Sequence, residues 1–430
     1  MNESTYKVKR IKGPVDFESV VPSSKTVLTR ALILSALSDG LCTLKNVTLS
    51  QDTRTMMVAL RDLGFSIFFS ADMKEMRVRG MKGEIPKKEA TLFVGDSATA
   101  ARFISCLLAF SEGKYVINAS PLLVSQNMKN LIVALRKLGA KVTCLGKDGH
   151  FPIKIEGKRP KENKEFDFTL DISQNTQLAS ALLMVLPSLG DKARLTTTGS
   201  NRDANILLTL KMIDEFGQHI TNVNNEYILD TPGVYTSKEH IIEADVSSAC
   251  YFLSLPLLIK GSASVLGVNF DSMQGDINYL NFLKDLGATI KSGDDGATIV
   301  ECNEETFAGE YTVDMENFSD EFAIMAIIAS VREGKTTIEN VGHLRHQECD
   351  RIAVMKENLE KCGIYCMDTS TSLSIIGGMP HGSVIETRGD HRTAMAFTML
   401  GLMTGNMAIA DYEYVGKTFS EFFEEVEKIR

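Results

Sequence analysis

Basic side chains recur in this chain close to residues that begin helices well, and the combination predicts anion binding. Lys25 and Arg30 follow Ser24, Arg102 follows Asp96, Arg392 follows Asp390, and Arg351 and Lys417 lie in turns near other such starts. A small polar residue before a helix is an ordinary cap that needs no ligand. A cation at that end is unfavourable unless an anion lies there too, because the helix dipole already places positive charge there. Several such helix starts gathered together would bind phosphate or carboxylate groups.

The elements that would position these side chains belong to one supersecondary unit that recurs six times. Each copy is expected to begin a helix at a small polar residue and to end it at a glycine. The expected starts are Ser24, Asp96, Asn175, Asp245, Ser319 and Asp390, and the expected stops are Gly40, Gly113, Gly190, Gly261, Gly334 and Gly405. The stops are roughly 70 to 77 residues apart, which is longer than a solenoid repeat.

After the first helix, each copy is predicted to have a strand, a second helix and two short strands. The second helices are amphipathic and end before Gly64, Gly139, Gly217, Gly287 and Gly363. The first helices are apolar nearly all round, as at 178–184 and 323–329, which predicts helices packed on every side. The last copy, 406–430, has only one strand and one helix and would need an N-terminal strand around Tyr6 to Ile11 to complete it.

The expected fold class is mixed α/β (α+β), with two inside-out, barrel-like domains of three units each. A chain of 430 residues exceeds the size at which one core keeps growing. Domain I is expected to take residues 1–22 and 245–430, and domain II residues 23–244. The chain would cross between them near 21–24 and 244–245, with the active site in the cleft and a hinge at the crossings.

Composition excludes several other classes of protein. The net charge of −9 argues against a nucleic-acid or membrane-surface protein, which would carry a basic excess. The eight cysteines have no C-x-x-C spacing, and no metal-ligand spacing or organic cofactor motif is present. The N-terminus lacks the apolar core of a signal peptide, and the apolar stretches are too short to span a bilayer. We expect a cytoplasmic monomer that binds small molecules.

Ordered motifs along the whole chain resemble those of the enolpyruvyl transferases. They are the segments Pro22–Ala31, Val94–Arg102, Asp271–Asp276, Glu348–Arg351, Gly389–Arg392 and Gly416–Phe419. The Ser-Met-Gln-Gly-Asp string at 272–276 favours the branch that acts on shikimate 3-phosphate over the branch that acts on a UDP-sugar. The UDP-sugar branch usually carries a reactive cysteine in the loop at 120–129, and this chain has none there.

The resemblance implies transfer of the enolpyruvyl group of phosphoenolpyruvate to a hydroxyl of shikimate 3-phosphate, with release of phosphate and without a cofactor. It assigns phosphoenolpyruvate to Lys25, Ala98, Arg102, Arg351, Arg392 and Lys417. It assigns the acceptor to Thr26, Arg30, Asn175, Thr176, Gln177, Asp320, His343 and Gln347. Asp320 would accept the hydroxyl proton and Glu348 would act on C3, with Lys25 also catalytic.

Some residues depart from the family pattern and leave alternatives open. Leu122 replaces an arginine, and Gln347, His343, Asn175, Asn201, Ala204 and Glu321 replace other usual residues. The chain could therefore be a divergent member of the shikimate branch, an enolpyruvyl transferase for another phosphorylated or nucleotide acceptor, or a non-catalytic anion-binding paralogue. Asp320 could be merely a helix cap, and Glu348 with Arg351 an ordinary helix pair. Ala98 stands where the family commonly has glycine, so an active enzyme is expected to resist glyphosate.

Overall fold

The computed structural model describes residues 5–159, 166–173, 175–189, 192–199, 204–293, 296–303 and 308–429. The chain forms two compact units. Unit 1 contains Met1–Pro22 and Glu243–Arg430, and unit 2 contains Ser23–Ile242. The second crossing of the chain between the units lies at Ile242 and Glu243. The sequence predicts this crossing near Ala244 and Asp245.

The α-helices of the described residues follow one another in this order. They are α1 (Lys25–Leu37), α2 (Gln51–Asp62), α3 (Ala98–Ala109), α4 (Pro121–Ser125), α5 (Lys129–Lys137), α6 (Gln177–Val185), α7 (Ala204–Glu215), α8 (Val246–Leu253), α9 (Leu255–Ile259), α10 (Tyr279–Asp285), α11 (Phe322–Val331), α12 (Arg351–Lys361), α13 (His391–Thr404) and α14 (Phe422–Lys428). Short 3-10 turns occur at Leu186–Leu189, Gly275–Asn278, Ser319–Glu321, Gly342–His346 and Tyr412–Lys417.

The strands are short, mostly three to seven residues long, and alternate with the helices. They are β1 (Thr5–Val8), β2 (Val15–Val20), β3 (Asp39–Lys45), β4 (Ile67–Phe69), β5 (Glu75–Met81), β6 (Glu89–Phe93), β7 (Gly113–Asn118), β8 (Lys141–Cys144), β9 (Ile153–Gly157), β10 (Phe166–Asp171), β11 (Ala193–Thr198), β12 (Thr221–Val223), β13 (Glu226–Leu229), β14 (Glu239–Ile241), β15 (Gly261–Leu266), β16 (Thr289–Ser292), β17 (Thr298–Cys302), β18 (Tyr311–Asp314), β19 (Lys335–Glu339), β20 (Tyr365–Asp368), β21 (Leu373–Ile376), β22 (Val384–Ile385) and β23 (Met407–Ala410).

Unit 2 contains three four-stranded sheets of one design. Their orders are β14-β3-β5-β4, β6-β7-β9-β8 and β10-β11-β13-β12. In each, the first two strands are parallel and the remaining pairs are antiparallel. Along β5 the side chains alternate, with Met76 and Val78 buried and Arg77 and Arg79 exposed, which is the period-2 pattern of a sheet with one covered face.

Unit 1 repeats the design, and its third sheet uses the N-terminus. Two sheets have the orders β16-β17-β15-β2 and β18-β19-β21-β20, and the third is β1-β23-β22. Strand β1 pairs antiparallel with β23, from Thr5 opposite Ala410 to Val8 opposite Met407. This confirms the prediction that the last copy is completed by the N-terminal strand.

The first helix of each copy is buried and the second is half exposed, as predicted. In α11 every residue from Phe322 to Ser330 is buried, and in α13 every residue from His391 to Leu402 is buried. In the fourth copy the first helix is interrupted at Ser254 and continues as α9, because Pro256 cannot supply the backbone N–H of a continuous helix. The second helices end before glycines with positive φ, at 64, 139, 217, 287 and 363, which confirms that prediction.

The glycines expected to stop the first helices do so only at Gly405, which is the C-cap of α13. Helices α1, α3, α9 and α11 end two to four residues before Gly40, Gly113, Gly261 and Gly334. The expected stop Gly190 lies outside the described residues. Gly261 serves the next strand instead, because a Cβ there would lie 1.9 Å from the carbonyl oxygen of Val15 on the neighbouring strand. The glycine at 261 is therefore required by the contact between two strands and not by the end of a helix.

The helices of the described ranges are all too short or too polar to cross a lipid bilayer.

Candidate active site

In unit 2, the buried helices α1, α3 and α6 pack together and begin near the expected residues. Ser24 caps α1 by accepting a hydrogen bond from the Val27 amide. Ser97, rather than Asp96, caps α3 by accepting from Ala100, and α6 begins at Gln177, two residues after Asn175. Asp96 accepts a hydrogen bond from Ser120 instead. A serine hydroxyl one residue closer to the helix reaches the amide that the predicted aspartate would have capped.

Lys25 lies at the first position of α1 and pairs with a carboxylate that sequence reasoning missed. Its Nζ donates to Oδ2 of Asp52 on α2 at 3.3 Å, and the lysine side chain is only 23% exposed. Asp52 is the second residue of α2, where an acidic side chain is favourable at the helix N-terminus. The negative charge of Asp52 therefore holds Lys25 at the start of α1.

Arg30 is buried on α1 among neutral groups. Its Nε donates to Thr209 Oγ1 at 2.8 Å, Nη1 to the Thr26 carbonyl at 2.9 Å, and Nη2 to Ser180 Oγ at 3.3 Å. Its guanidinium also lies 5.5 Å from the centre of the Phe103 ring. Among the described residues no carboxylate pairs with it, and burial lowers the pKa of Arg30 to about 9. A buried cation without an anion is costly, so this position favours an anionic ligand.

Arg102 and Gln177 connect the starts of α3 and α6. Arg102 Nη1 donates to Gln177 Oε1 at 2.9 Å and to the Ala98 carbonyl at 3.3 Å. The amide of Gln177 donates to Thr99 Oγ1 at 3.0 Å, and its backbone N–H donates to Asn175 Oδ1 at 2.7 Å. These contacts place four predicted site residues, Ala98, Arg102, Asn175 and Gln177, together, and Thr176 lies directly before the helix.

In unit 1, the helices α8 and α13 begin at aspartate caps as predicted. Asp245 accepts from the Ser248 amide at 2.7 Å, and Asp390 accepts from the Thr393 amide at 3.1 Å. The fifth copy differs: a 3-10 turn at Ser319–Glu321 precedes α11, and Glu321 occupies the cap position without a side-chain cap bond. Asp320 is thus not an N-cap, and its carboxylate is available for other contacts.

Arg392 and Asp320 form one ion pair of the unit 1 cluster. Arg392 Nη2 donates to Asp320 Oδ2 at 2.5 Å, and Nη1 donates to the Asp320 carbonyl at 3.1 Å and to Ser247 Oγ at 3.2 Å. The arginine side chain is 6% exposed, whereas that of Asp320 is 42% exposed. Asp320 therefore presents a carboxylate to solvent from beside a buried cation.

Glu348 lies between two cations. Lys417 Nζ donates to Glu348 Oε1 at 2.7 Å, and Arg351 Nη2 donates to Oε2 at 2.8 Å. Arg351 also donates from Nε to Asp390 at 3.1 Å and from Nη1 to Gln347 at 2.5 Å. The pair of Glu348 and Arg351 is not on one helix, because Arg351 begins α12 and Glu348 precedes it. This corrects both the helix-pair alternative and the placement of Arg351 in a turn.

The charges around Glu348 fix its protonation state. Burial alone would raise the pKa of Glu348, but Arg351 and then Lys417 hold it well below its usual range. Carboxylates at Asp390 and Glu348 raise the pKa of Arg351 despite its burial. The cluster is accordingly a set of fixed charges, with Glu348 ionised.

Two further predicted site residues, His343 and Gln347, contact residues of the unit 1 cluster or its neighbours. His343 Nε2 contacts Ser319 Oγ at 2.8 Å, next to Asp320, and Gln347 accepts a hydrogen bond from Arg351. Leu122, where the family has an arginine, is 45% exposed on α4. Ala204 begins α7, and Asn201 lies outside the described residues. Leu122 thus makes no buried replacement contact for the missing arginine.

The sequence did not identify the partners of the cations. Only the fold shows that Asp52 binds Lys25 and that Ser247 binds Arg392. It also shows that Asp390 accepts a hydrogen bond from Arg351 in addition to capping α13. Asp390 could have been suspected, since it immediately precedes His391 and Arg392 in a recognised motif. Among the described residues no cluster of His, Cys, Asp and Glu has the arrangement of a metal site.

Comparisons with known proteins agree along the whole chain. The family model of EPSP synthase (3-phosphoshikimate 1-carboxyvinyltransferase) matches residues 6–426. A 3-phosphoshikimate 1-carboxyvinyltransferase of Trichormus variabilis is 31% identical, over 97% of both chains. One from Methanosphaerula palustris is 33% identical, over 96% of both. A solved EPSP synthase of Acinetobacter baumannii superposes with a TM-score of 0.82 at 24% identity, covering 99% of this chain and 98% of the other, which confirms the fold class.

Proposed function

The chain belongs to the EPSP synthase family, and from this we propose how its residues carry out the reaction. The enzyme transfers the enolpyruvyl group of phosphoenolpyruvate to a hydroxyl of shikimate 3-phosphate and releases phosphate. The hydroxyl oxygen adds to C2 of phosphoenolpyruvate while C3 gains a proton. The tetrahedral intermediate then loses phosphate and the C3 proton. Both substrates are polyanions, so the protein must supply several fixed cations.

Unit 2 would hold the acceptor. Arg30 is a buried guanidinium whose described partners are all neutral, so an anionic phosphate near it would supply the missing charge. The side chains of Thr26, Asn175, Thr176 and Gln177 lie at the starts of α1 and α6 and offer donors and acceptors for ligand oxygens. Lys25 and Arg102, which the motifs assign to phosphoenolpyruvate, lie at the starts of α1 and α3 in the same unit.

Unit 1 would hold phosphoenolpyruvate with Arg351, Arg392 and Lys417. In this structure these three cations are bound to Asp320, Glu348 and Asp390. The phosphate and carboxylate of phosphoenolpyruvate would take over part of this bonding. That exchange removes positive charge from Glu348, so its pKa rises in the complex and it can carry the proton that C3 requires. The internal pairs thus keep the site charged and ordered before the substrate binds.

Two carboxylates would then move the protons. Asp320 would accept the proton of the attacking hydroxyl, because its carboxylate is the more exposed partner of a fixed arginine. Glu348 would donate its proton to C3 in the addition step and take one back in the elimination step. The proton on Asp320 leaves with the departing phosphate, so protons balance over the cycle. The observation that carries these roles is Glu348 held between Arg351 and Lys417.

The reaction is tested by incubating the purified protein with phosphoenolpyruvate and shikimate 3-phosphate and measuring phosphate release. We expect release only when both substrates are present. Release with a different hydroxylated phosphate but not with shikimate 3-phosphate would contradict the acceptor. No release with any acceptor would contradict the enzymatic function.

In the same assay, glyphosate should inhibit weakly, since Ala98 adds a methyl group where the family commonly has glycine. Sub-micromolar inhibition by glyphosate would contradict the placement of Ala98.

The monomeric state, the cytoplasmic location and domain closure expected from the sequence stay predictions.

A further inference from the structure

A second carboxylate lies directly behind the pair of Arg392 and Asp320. Glu321 is 1% exposed, and its Oε1 accepts a hydrogen bond from Ser247 Oγ at 2.7 Å. Ser247 in turn accepts from Arg392 Nη1 at 3.2 Å. The side chain of Glu321 is therefore connected through one hydroxyl to the guanidinium that holds Asp320.

The other oxygen of Glu321 has an unusual neighbour. Glu321 Oε2 is buried and receives no hydrogen bond from a described donor, while the partly buried carboxyl of Asp276 lies within hydrogen-bond reach of Glu321. Two ionised carboxylates cannot satisfy each other, because both are acceptors. One proton between them removes the repulsion and supplies a donor. Burial and the neighbouring acids raise the pKa of Asp276 to about 7 and that of Glu321 well above its usual range.

We propose that Glu321 is a positioning residue: with Asp276 it holds a single proton, and through Ser247 it directs the Arg392 guanidinium onto Asp320. The inference rests on the roles proposed above for Arg392 and Asp320. A fully ionised Glu321 would compete with Asp320 for Arg392 and would repel the anionic substrate. The shared proton leaves only one negative charge on the pair, so Arg392 stays available to Asp320 and to phosphoenolpyruvate.

The surroundings of the pair contain few other groups that change charge near neutral pH. The charged and titratable groups facing it are Asp245, Asp320, Arg392, Cys250, Tyr251 and Tyr279. Burial raises the pKa of Cys250, Tyr251 and Tyr279 well above neutrality, and the pKa of Arg392 is also raised. His343 contacts Ser319, two residues before Glu321, so the comparison with Glu321→Gln assigns a proton exchanged between pH 5 and 8 to the pair.

The first test measures stability and needs no activity. Carboxyl pKa values that are raised in the folded state favour folding below the ordinary value of about 4, and this contribution is lost as the pH rises through about 7. The unfolding constant of the wild type should thus rise about tenfold per pH unit relative to that of Glu321→Gln across this range. Glu425→Gln is the matched control, because Glu425 is also buried in unit 1 and also accepts from a serine, Ser19. Equal pH dependence of the wild type and Glu321→Gln would overturn the shared proton.

The second test measures the KM for phosphoenolpyruvate, with kcat as the internal comparison. Glu321→Ala should raise this KM about tenfold, which is the usual effect of losing one hydrogen bond to a charged group, and should lower kcat much less. Glu321→Gln keeps an acceptor for Ser247, so its KM should match that of the wild type at pH 6. The KM of the wild type is expected to increase above pH 7, where the pair loses its proton, and that of Glu321→Gln is not. An unchanged KM in Glu321→Ala would overturn the positioning role. An inactive wild type would refute the proposed function while the stability test still decides the shared proton.

Discussion

Replacing Glu348 by Gln is expected to lower kcat by about a hundred- to ten-thousandfold, the range that general acid–base groups commonly contribute. Gln keeps the size of the side chain and an oxygen that Lys417 or Arg351 can bind. It cannot carry a proton to C3 of phosphoenolpyruvate and take it back. The KM for phosphoenolpyruvate should change little, because the three cations remain. Steady-state phosphate release with both substrates measures the two constants.

The control for Glu348 is Glu357→Gln, on the adjacent helix α12. Glu357 forms an exposed ion pair with Arg388, and exposed pairs contribute little. This variant should have the kcat of the wild type. A Glu348→Gln variant that keeps wild-type kcat would show that Glu348 is a structural partner of Arg351 and Lys417 rather than the C3 acid.

The second large effect is expected at Arg351, which is 3% exposed and serves two carboxylates at once. Arg351→Ala leaves Asp390 buried without its cation and removes one of the two cations on Glu348. Breaking a buried pair from one side commonly costs about 3 to 5 kcal/mol. The free energy of unfolding from urea titration at pH 7 should fall by about that amount. The KM for phosphoenolpyruvate should also rise strongly.

The pH dependence of this effect has a definite sign. The pKa of Glu348 is depressed in the folded protein, so its ionisation stabilises the fold above the ordinary carboxyl value of about 4.3. That contribution is lost as the pH falls below this value, and the stability difference between the wild type and Arg351→Ala should shrink there. Arg351→Lys keeps the charge and should recover most of the stability, but not the forked contacts that we propose for phosphoenolpyruvate. Equal KM values for Arg351→Lys and the wild type would contradict a direct role in substrate binding.

Much of the fold could be predicted because its signals are local and repeated six times. The apolar first helices, the amphipathic second helices and the missing strand of the last copy are all readable from side-chain periodicity. Gly261 shows why the helix ends were predicted less well. A glycine required by close approach to a neighbouring strand has the same sequence signature as one that ends a helix.

The sequence predicts the cations of the candidate site but not the carboxylates with which they pair. Lys25, Arg30, Arg351, Arg392 and Lys417 can be located by their positions beside helix starts and in family motifs. Which carboxylate each would bind depends on packing between helices that are far apart in sequence. The pairs of Arg392 with Asp320 and of Lys417 with Glu348 span about 70 residues, and no periodicity encodes them.

The environment of Glu321 is also set by residues that are distant in sequence. Its position before an apolar helix indicated only a departure from the family pattern. The fold places it against Asp276 and Ser247, where it is buried beside a second carboxyl. These neighbours are distant in sequence, so the sequence does not predict this environment.

Phosphoenolpyruvate is proposed to take over the cations that pair with Glu348. The most direct measurement is calorimetric titration with phosphoenolpyruvate near pH 7 in buffers of different ionisation enthalpy, which counts the protons exchanged on binding. The wild type is expected to take up more protons than Glu348→Gln, because the carboxyl gains a proton when its positive neighbours turn to the ligand. Equal proton exchange in the two proteins would contradict the account.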